Sequence, residues 1–225
     1  MKLRFALLAV FLGLICTLNG LAAPLGVLTV TNCTGGGVTV TATSIDWLTP
    51  VGGGFGCLVS DTPTLVTYTG GGPLLSGDTT GSIKDLTLGG PPVVIDFMTF
   101  SDQPNLHFDL NALPPSPFIL TGSATGTTVT LNAGGTARDS SATTSSWSGL
   151  YTTQFAGITP AQLLAGIAGA TITGPGGVVY CTGGACTNSY SGNFQVNVNA
   201  VVPEPVSLLL IAGGLMGLGF LRRLK

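Results

Sequence analysis

Residues 38–43, VTVTAT, decide how the chain is read. Val38, Val40 and Ala42 fall on one side of an extended backbone, and Thr39, Thr41 and Thr43 fall on the other. That two-residue period belongs to a strand with one dry and one wet face. The same alternation returns at 193–200, NFQVNVNA, where Phe194, Val196 and Val198 oppose Gln195, Asn197 and Asn199. Residues 25–31 are also rich in β-branched side chains, and Gly35-Gly36-Gly37 between them and 38–43 reads as a hairpin connection. Further strands are expected at 65–69, 83–88, 93–100, 106–110, 118–121, 127–131, 136–140, 147–155 and 178–181. Glycine and proline breaks separate several of them, such as Gly70-Gly71-Gly72-Pro73 and Gly89-Gly90-Pro91-Pro92. One helix interrupts: Thr159 is its N-cap, Pro160 its first residue, and 161–168 its body, kept short by Gly166 and Gly169. Many short strands with turn signals between them argue for an antiparallel sandwich or barrel, and the expected architecture is an all-β antiparallel β-sandwich with one short helix.

Composition narrows the function classes. The body, residues 23–201, holds two basic residues, Lys84 and Arg138, against eight aspartates and no glutamate, a net charge of −6. Nucleic-acid binding needs clustered Lys and Arg to neutralise phosphates, so it is excluded as a role. The mean hydropathy of +0.56 comes partly from the two chain ends and overstates that of the body.

At the start, Lys2 and Arg4 precede the mostly apolar 5–18, and Gly20-Leu21-Ala22 places small residues at the −3 and −1 positions of a cleavage site before Ala23. Residues 1–22 therefore read as a signal-peptide helix, with an uncleaved anchor as the rival. A lipoprotein reading of Cys16 fails because Ile15, not a small residue, precedes it. Export places Cys33, Cys57, Cys181 and Cys186 in an oxidising compartment, where an even count reads as two disulfides. Cys181 and Cys186 bracket a Thr-Gly-Gly-Ala loop that closes a short ring, worth about 2 kcal/mol, and Cys33 with Cys57 closes a longer one worth about 3.5 kcal/mol. The rival is a four-thiolate zinc site, which wants two close pairs; Cys33 and Cys57 are not one.

The segment 202–225, VPEPVSLLLIAGGLMGLGFLRRLK, has three parts in order. Val202-Pro203-Glu204-Pro205 is held extended by its prolines. The apolar run 206–221, through Val206, Leu210, Gly213, Gly217 and Leu221, forms a helix about 24 Å long, slightly short of the ~30 Å hydrocarbon core. Arg222, Arg223 and Lys225 keep that end cytoplasmic. Gly213 and Gly217 make a small-xxx-small pair suited to close helix contact. This order resembles the PEP-CTERM sorting signal, the tripartite tail recognised by membrane proteases called exosortases. The resemblance covers about a tenth of the chain; an ordinary membrane anchor is the rival. It implies an exosortase as processing partner, transient anchoring in the cytoplasmic membrane, cleavage near Pro203–Pro205 and relocation to the cell envelope, surface or extracellular matrix. Such tails go with bacteria that make exopolysaccharide, so exopolysaccharide is the implied partner of a structural or adhesive surface protein.

Candidate chemistry in the body is thin. His107, the one histidine, shares a strand face with Asn105 and Asp109 while Leu106, Phe108 and Leu110 take the other; this reads as a wet face, with a Ser-His-Asp arrangement as the rival. Asp109-Leu110-Asn111, with Asp102 near in sequence, is a two-ligand calcium fragment, short of the six to eight oxygens calcium takes. The run 51–56 lacks the lysine of a phosphate loop and reads as turns. Trp47, Trp147, Tyr151, Tyr180 and Tyr190 offer a sugar-stacking face or, more plainly, core. No catalytic residue, metal ligand or cofactor is assigned; a carbohydrate- or calcium-binding surface module is the alternative function.

Overall fold

The computed structural model describes residues 23–49, 55–69, 72–75, 79–90, 93–113, 118–141 and 143–198. The expected signal-peptide helix and C-terminal transmembrane helix lie outside them. Among the described residues no helix is long and apolar enough to cross a membrane.

Strand β1 (Leu25–Asn32) has both edges filled. On one side it runs antiparallel to β16 (Ser191–Val198), from Gly26 opposite Val196 to Thr31 opposite Ser191. On the other it runs antiparallel to β4 (Gly56–Thr67), from Leu25 opposite Thr67 to Asn32 opposite Leu58. From β16 the sheet continues through β12 (Ser145–Ala156), β11 (Gly126–Arg138), β9 (Gln103–Ala112), β8 (Val94–Phe100) and β6 (Thr80–Ile83) back to β4. The eight strands close on themselves, all pairs antiparallel. The architecture is all-β with one short helix, as expected, but the expected sandwich is corrected to a barrel. A sandwich and a barrel require the same alternation along each strand; they differ in whether one strand finds partners on both edges.

Three local expectations also change. The glycines at 35–37 do not close a hairpin: β2 (Gly37–Val40) leaves the barrel and pairs with β3 (Ser44–Leu48) and β15 (Ala185–Asn188). The expected strand 83–88 divides into β6 and β7 (Leu86–Thr87), because Lys84 N–H bonds to Phe97 O while the Asp85 carboxylate takes the Trp47 N–H at 2.8 Å. β7 then pairs with β3 in the second sheet. Finally, 127–131 and 136–140 fuse into the single long β11, which carries a register shift at Gly134/Gly135. The first half of β11 pairs with β10 (Phe118–Ser123) and the second half with β9, so these two strands share one edge end to end. Short β5 (Leu74–Leu75) adds to β4.

The second sheet runs β13 (Ile172–Thr173), β14 (Val179–Thr182), β15, β2, β3, β7. Helix α1 (Pro160–Ile167) packs against its β13–β15 end and against β10. Thr159 caps α1 as expected, and Gln162 completes a capping box by accepting the Thr159 N–H at 2.9 Å. Gly166 brings α1 against the second disulfide: a Cβ there would lie 2.5 Å from Cys181 Sγ. Val129, Phe155, Ile158 and Leu163 bury with Cys181 and Cys186 in this smaller core.

The barrel interior is aromatic. Trp147 lies 6.2 Å from Phe97, 6.3 Å from Phe108 and 5.4 Å from Phe194, centroid to centroid. Its indole N–H donates to Asp109 O at 2.9 Å, across Gly135, where a Cβ would sit 1.8 Å from that oxygen. Much of the outer face is polar: Ser146, Ser148, Asn193, Gln195 and Asn197 point to water, with Leu65, Ile95 and Leu150 exposed among the barrel strands. A membrane-spanning barrel has the reverse arrangement, apolar outside and polar within. Trp47 joins the two layers, 4.7 Å from both Tyr151 and Tyr190.

Because Trp147 touches three strands and bonds a fourth group across a glycine, Trp147→Ala should cost about 3–5 kcal/mol. Urea unfolding of the two proteins measures this; a loss under about 1 kcal/mol would remove Trp147 from the centre of the core.

Candidate functional site: an ion cluster on the barrel wall

On β9, Leu106, Phe108 and Leu110 are fully buried in the barrel, which turns Asn105, His107, Asp109 and Asn111 outward, as the alternation predicts. Their surroundings are less wet than expected, since Asp109 is 7% exposed. Across the strand pair, His107 faces Arg138 on β11 and Thr99 on β8. A register shift in β8 between Val94 and Met98 buries both Phe97 and Met98 and leaves Asp96 to turn outward. Asp96 adopts φ 53°, the left-handed region that a non-glycine residue enters at a cost. That turn aims its N–H at Asp109 Oδ1, 2.7 Å away.

Arg138 fills the space between the two carboxylates. Its Nε donates to Asp109 Oδ2 at 2.9 Å, and its Nη2 pairs with Asp96 Oδ1. His107 Nδ1 stands 2.9 Å from the same Asp96 oxygen. The geometry of this contact is not that of a hydrogen bond. The hydrogen bond to Asp109 raises the Arg138 pKa, partial desolvation opposes this, and the charges of Asp109 and Asp96 add to the rise. The guanidinium stays charged and neutralises a carboxylate that would otherwise be buried alone.

The arrangement fastens β8, β9 and β11 together from outside the barrel. Both Asp109 oxygens are engaged, and Asn111 donates to Thr136 Oγ1 at 2.6 Å, so the Asp109–Asn111 pair is committed to its neighbours rather than open to calcium. Among the described residues no three His, Cys, Asp or Glu side chains are grouped to hold a metal. Asp96 and Arg138 were not singled out in the sequence. The one available signal was scarcity, since Arg138 is one of only two cations in the body; the other, Lys84, donates to the Ile95 carbonyl instead of a carboxylate.

The other sequence expectations are placed as follows. Cys33 bonds Cys57, tying the end of β1 to the start of β4, and Cys181 bonds Cys186 across the β14–β15 pair. The two bonds sit in different parts of the fold, which overturns the zinc alternative. Trp47, Trp147, Tyr151 and Tyr190 are 1–4% exposed and belong to the core, the plainer of the two readings, which leaves no sugar-stacking face among them; Tyr180 is half-buried against Phe155. The sorting segment Val202–Pro205, the anchor residues Val206, Leu210, Gly213, Gly217 and Leu221, and the basic cluster Arg222, Arg223 and Lys225 lie outside the described residues. No family model, no curated protein and no solved structure matches the chain.

Arg138→Ala should lower stability by about 1–3 kcal/mol, between the values for an exposed and a buried pair, because Asp109 is left without its counter-ion. Arg138→Lys should restore less than half of the loss, since a point charge does not span both carboxylates. Urea midpoints report both; an Arg138→Ala protein within about 0.5 kcal/mol of the parent would reduce the cluster to surface decoration.

Proposed function

We propose that this chain is an exported protein of the cell surface or extracellular matrix, with a structural or adhesive role, released from a transient membrane anchor by an exosortase at Pro203-Glu204-Pro205. The observation that carries the reading is the tripartite tail at 202–225. The body is consistent with it on three counts. Two disulfides suit an oxidising, extracellular compartment. The closed barrel has no free edge around its girth, which removes a route to edge-to-edge aggregation. Beside the ion cluster, its outer wall presents hydroxyls and amides, such as Ser146, Ser148, Asn193, Gln195 and Asn197, the kind of hydrogen-bonding groups that a hydrated polysaccharide matrix offers in return.

The body and the tail are close-coupled. Strand β16 ends at Val198 and the motif begins at Val202. Eight residue steps from Val198 to Val206 reach at most about 29 Å, so before processing the barrel is held within that distance of the membrane surface. The protease must then act in a narrow gap, and an extended Pro-Glu-Pro segment keeps that gap from closing into helix. Glu204 resists being drawn into lipid, where a carboxylate costs about 2.5–3.5 kcal/mol at mid-membrane.

Replacing Pro203-Glu204-Pro205 by three alanines should make the unprocessed form accumulate in the membrane of cells that carry the protease. Arg222→Ala with Arg223→Ala should slow processing less, since Lys225 remains. Immunoblots of membrane and medium fractions give the comparison. Parent-like processing of the triple-alanine variant would make the tail an ordinary anchor and remove the basis of this reading.

A further inference from the structure

Three leucines stand exposed on one flank of the barrel: Leu25 on β1 at 47%, Leu65 on β4 at 51% and Leu75 on β5 at 43%. Val66 and Leu74, chain neighbours of the last two, are fully buried, so the alternation of the strands turns Leu65 and Leu75 outward. Register then brings the outward side chains together. Leu65 lies opposite Val27 on one side and Leu75 on the other, so three adjacent strands present apolar side chains in one row. Directly opposed residues on one face have Cβ atoms about 4.5–5.5 Å apart, close enough to touch. Val27 is half-buried, and Leu25, two residues before it, is on the same face. Single exposed apolar residues are ordinary, whereas a contiguous group marks a surface that something covers.

The borders of the row are uncharged. Gln195 faces Val27 from β16, and Thr67 faces Leu25 from β4, its hydroxyl donating to Leu25 O at 3.2 Å. A second exposed apolar group, Phe55 and Ile95, differs in kind. Lys84 stands 5.9 Å from the centre of the Phe55 ring and donates to Ile95 O at 2.7 Å, which places a cation in its midst.

The leucine row also lies where the chain leaves the barrel. Val198, the last residue of β16, is opposite Ser145, and the Ser145 hydroxyl donates to the carbonyl of Pro24, one residue before Leu25. Neighbouring strands are about 4.8 Å apart, so Leu75, three strands from β16, is about 14 Å across the wall from that exit. The eight steps from Val198 to Val206 span at most about 29 Å. Any surface that holds Val206 is therefore within reach of the row.

We propose that Leu25, Val27, Leu65 and Leu75 form a docking surface for the lipid bilayer, which lays the anchored barrel on its β1–β4–β5 flank against zwitterionic lipid. The inference depends on the reading of 206–221 as a membrane anchor and goes beyond it, since an anchor alone leaves the barrel free to turn on its linker. Two observations favour lipid over a second copy of the chain. The tether keeps the row beside the bilayer at any protein concentration, so the contact is made at a high effective concentration. The row is also a few side chains wide, far below the ~1,200 Å² that a specific protein interface buries. It contains no cation, and the body carries a net charge of −6, so removal of apolar surface from water drives the contact and attraction to anionic headgroups does not.

The test places the full-length chain in phosphatidylcholine nanodiscs at one chain per disc, so that no second copy can cover the row. Discs with and without a lipid carrying a nitroxide near the top of its acyl chain are compared by methyl NMR. The signals of Leu25, Val27, Leu65 and Leu75 should be lost in the labelled discs, while those of Ile95 and Leu150, on other strands of the wall, persist. Leu65→Ser with Leu75→Ser should restore the Leu25 and Val27 signals while the chain still co-elutes with the discs; Leu75→Ser alone serves if the double variant does not fold. Co-elution with leucine signals that survive the label, or that fade no more than that of Ile95, would overturn the inference and leave the anchor reading in place. Equal loss of the Leu25 and Val27 signals in a folded serine variant would mean that the tether alone brings the wall to the lipid, which overturns it too. A chain that elutes apart from the discs would remove the anchor reading and this inference with it.

Discussion

The structure depends on β1 having two partners. Its Leu28 and Val30 point into the barrel with no exposure, and its two backbone edges are taken by β16 and β4. Remove either pairing and the eight-stranded ring becomes an open sheet with two exposed edges, which native proteins avoid. The closing strands come from opposite ends of the body, since β1 begins at Leu25 and β16 ends at Val198. Closure therefore waits on the last strand, and the contact order is high. The Cys33–Cys57 bond lies beside this seam and holds the β1–β4 side of it.

Closure sets where everything else can go. Within the ring, the tilt of the strands leaves space that Phe97, Phe108, Trp147 and Phe194 fill, and Gly135 lets the indole reach a backbone carbonyl. Outside, the bulge in β8 that buries Phe97 and Met98 together also turns Asp96 toward Arg138. The aromatic core and the ion cluster are thus two sides of one irregularity. β11 and β12 are longer than the ring requires, and their surplus carries β10, the second sheet and α1. A cavity lies there, lined by residues of β2, β10, β11 and α1.

This division separates two kinds of function. In the proposed reading the tail directs where the protein goes, through sequence features local to 24 residues. The body concerns what the protein does on arrival. Its wall carries hydroxyls and amides together with one cluster of paired ions, Asp96, Asp109 and Arg138.

The sequence by itself determined the local features. The alternation at 193–200 placed Phe194 and Val196 inward, the alternation at 106–110 placed Leu106, Phe108 and Leu110 inward, and Thr159-Pro160 started the helix at the residue observed. The cysteine spacing held the two short-range pairings that form. Each of these is written in neighbours within a few residues, or a few tens of residues, of one another. Tertiary structure alone decided that 35–37 leads out of the barrel instead of into a hairpin, that 83–88 divides between two sheets, and which of the core aromatics meet each other. It also decided that the sheet closes. Period-two patterning states which face of a strand is dry; it carries no information about which distant strand completes each edge, and a barrel differs from a sandwich only in that. The meeting of Asp96, His107, Asp109 and Arg138 has the same origin, because three strands must come into register before four scattered polar residues become one cluster.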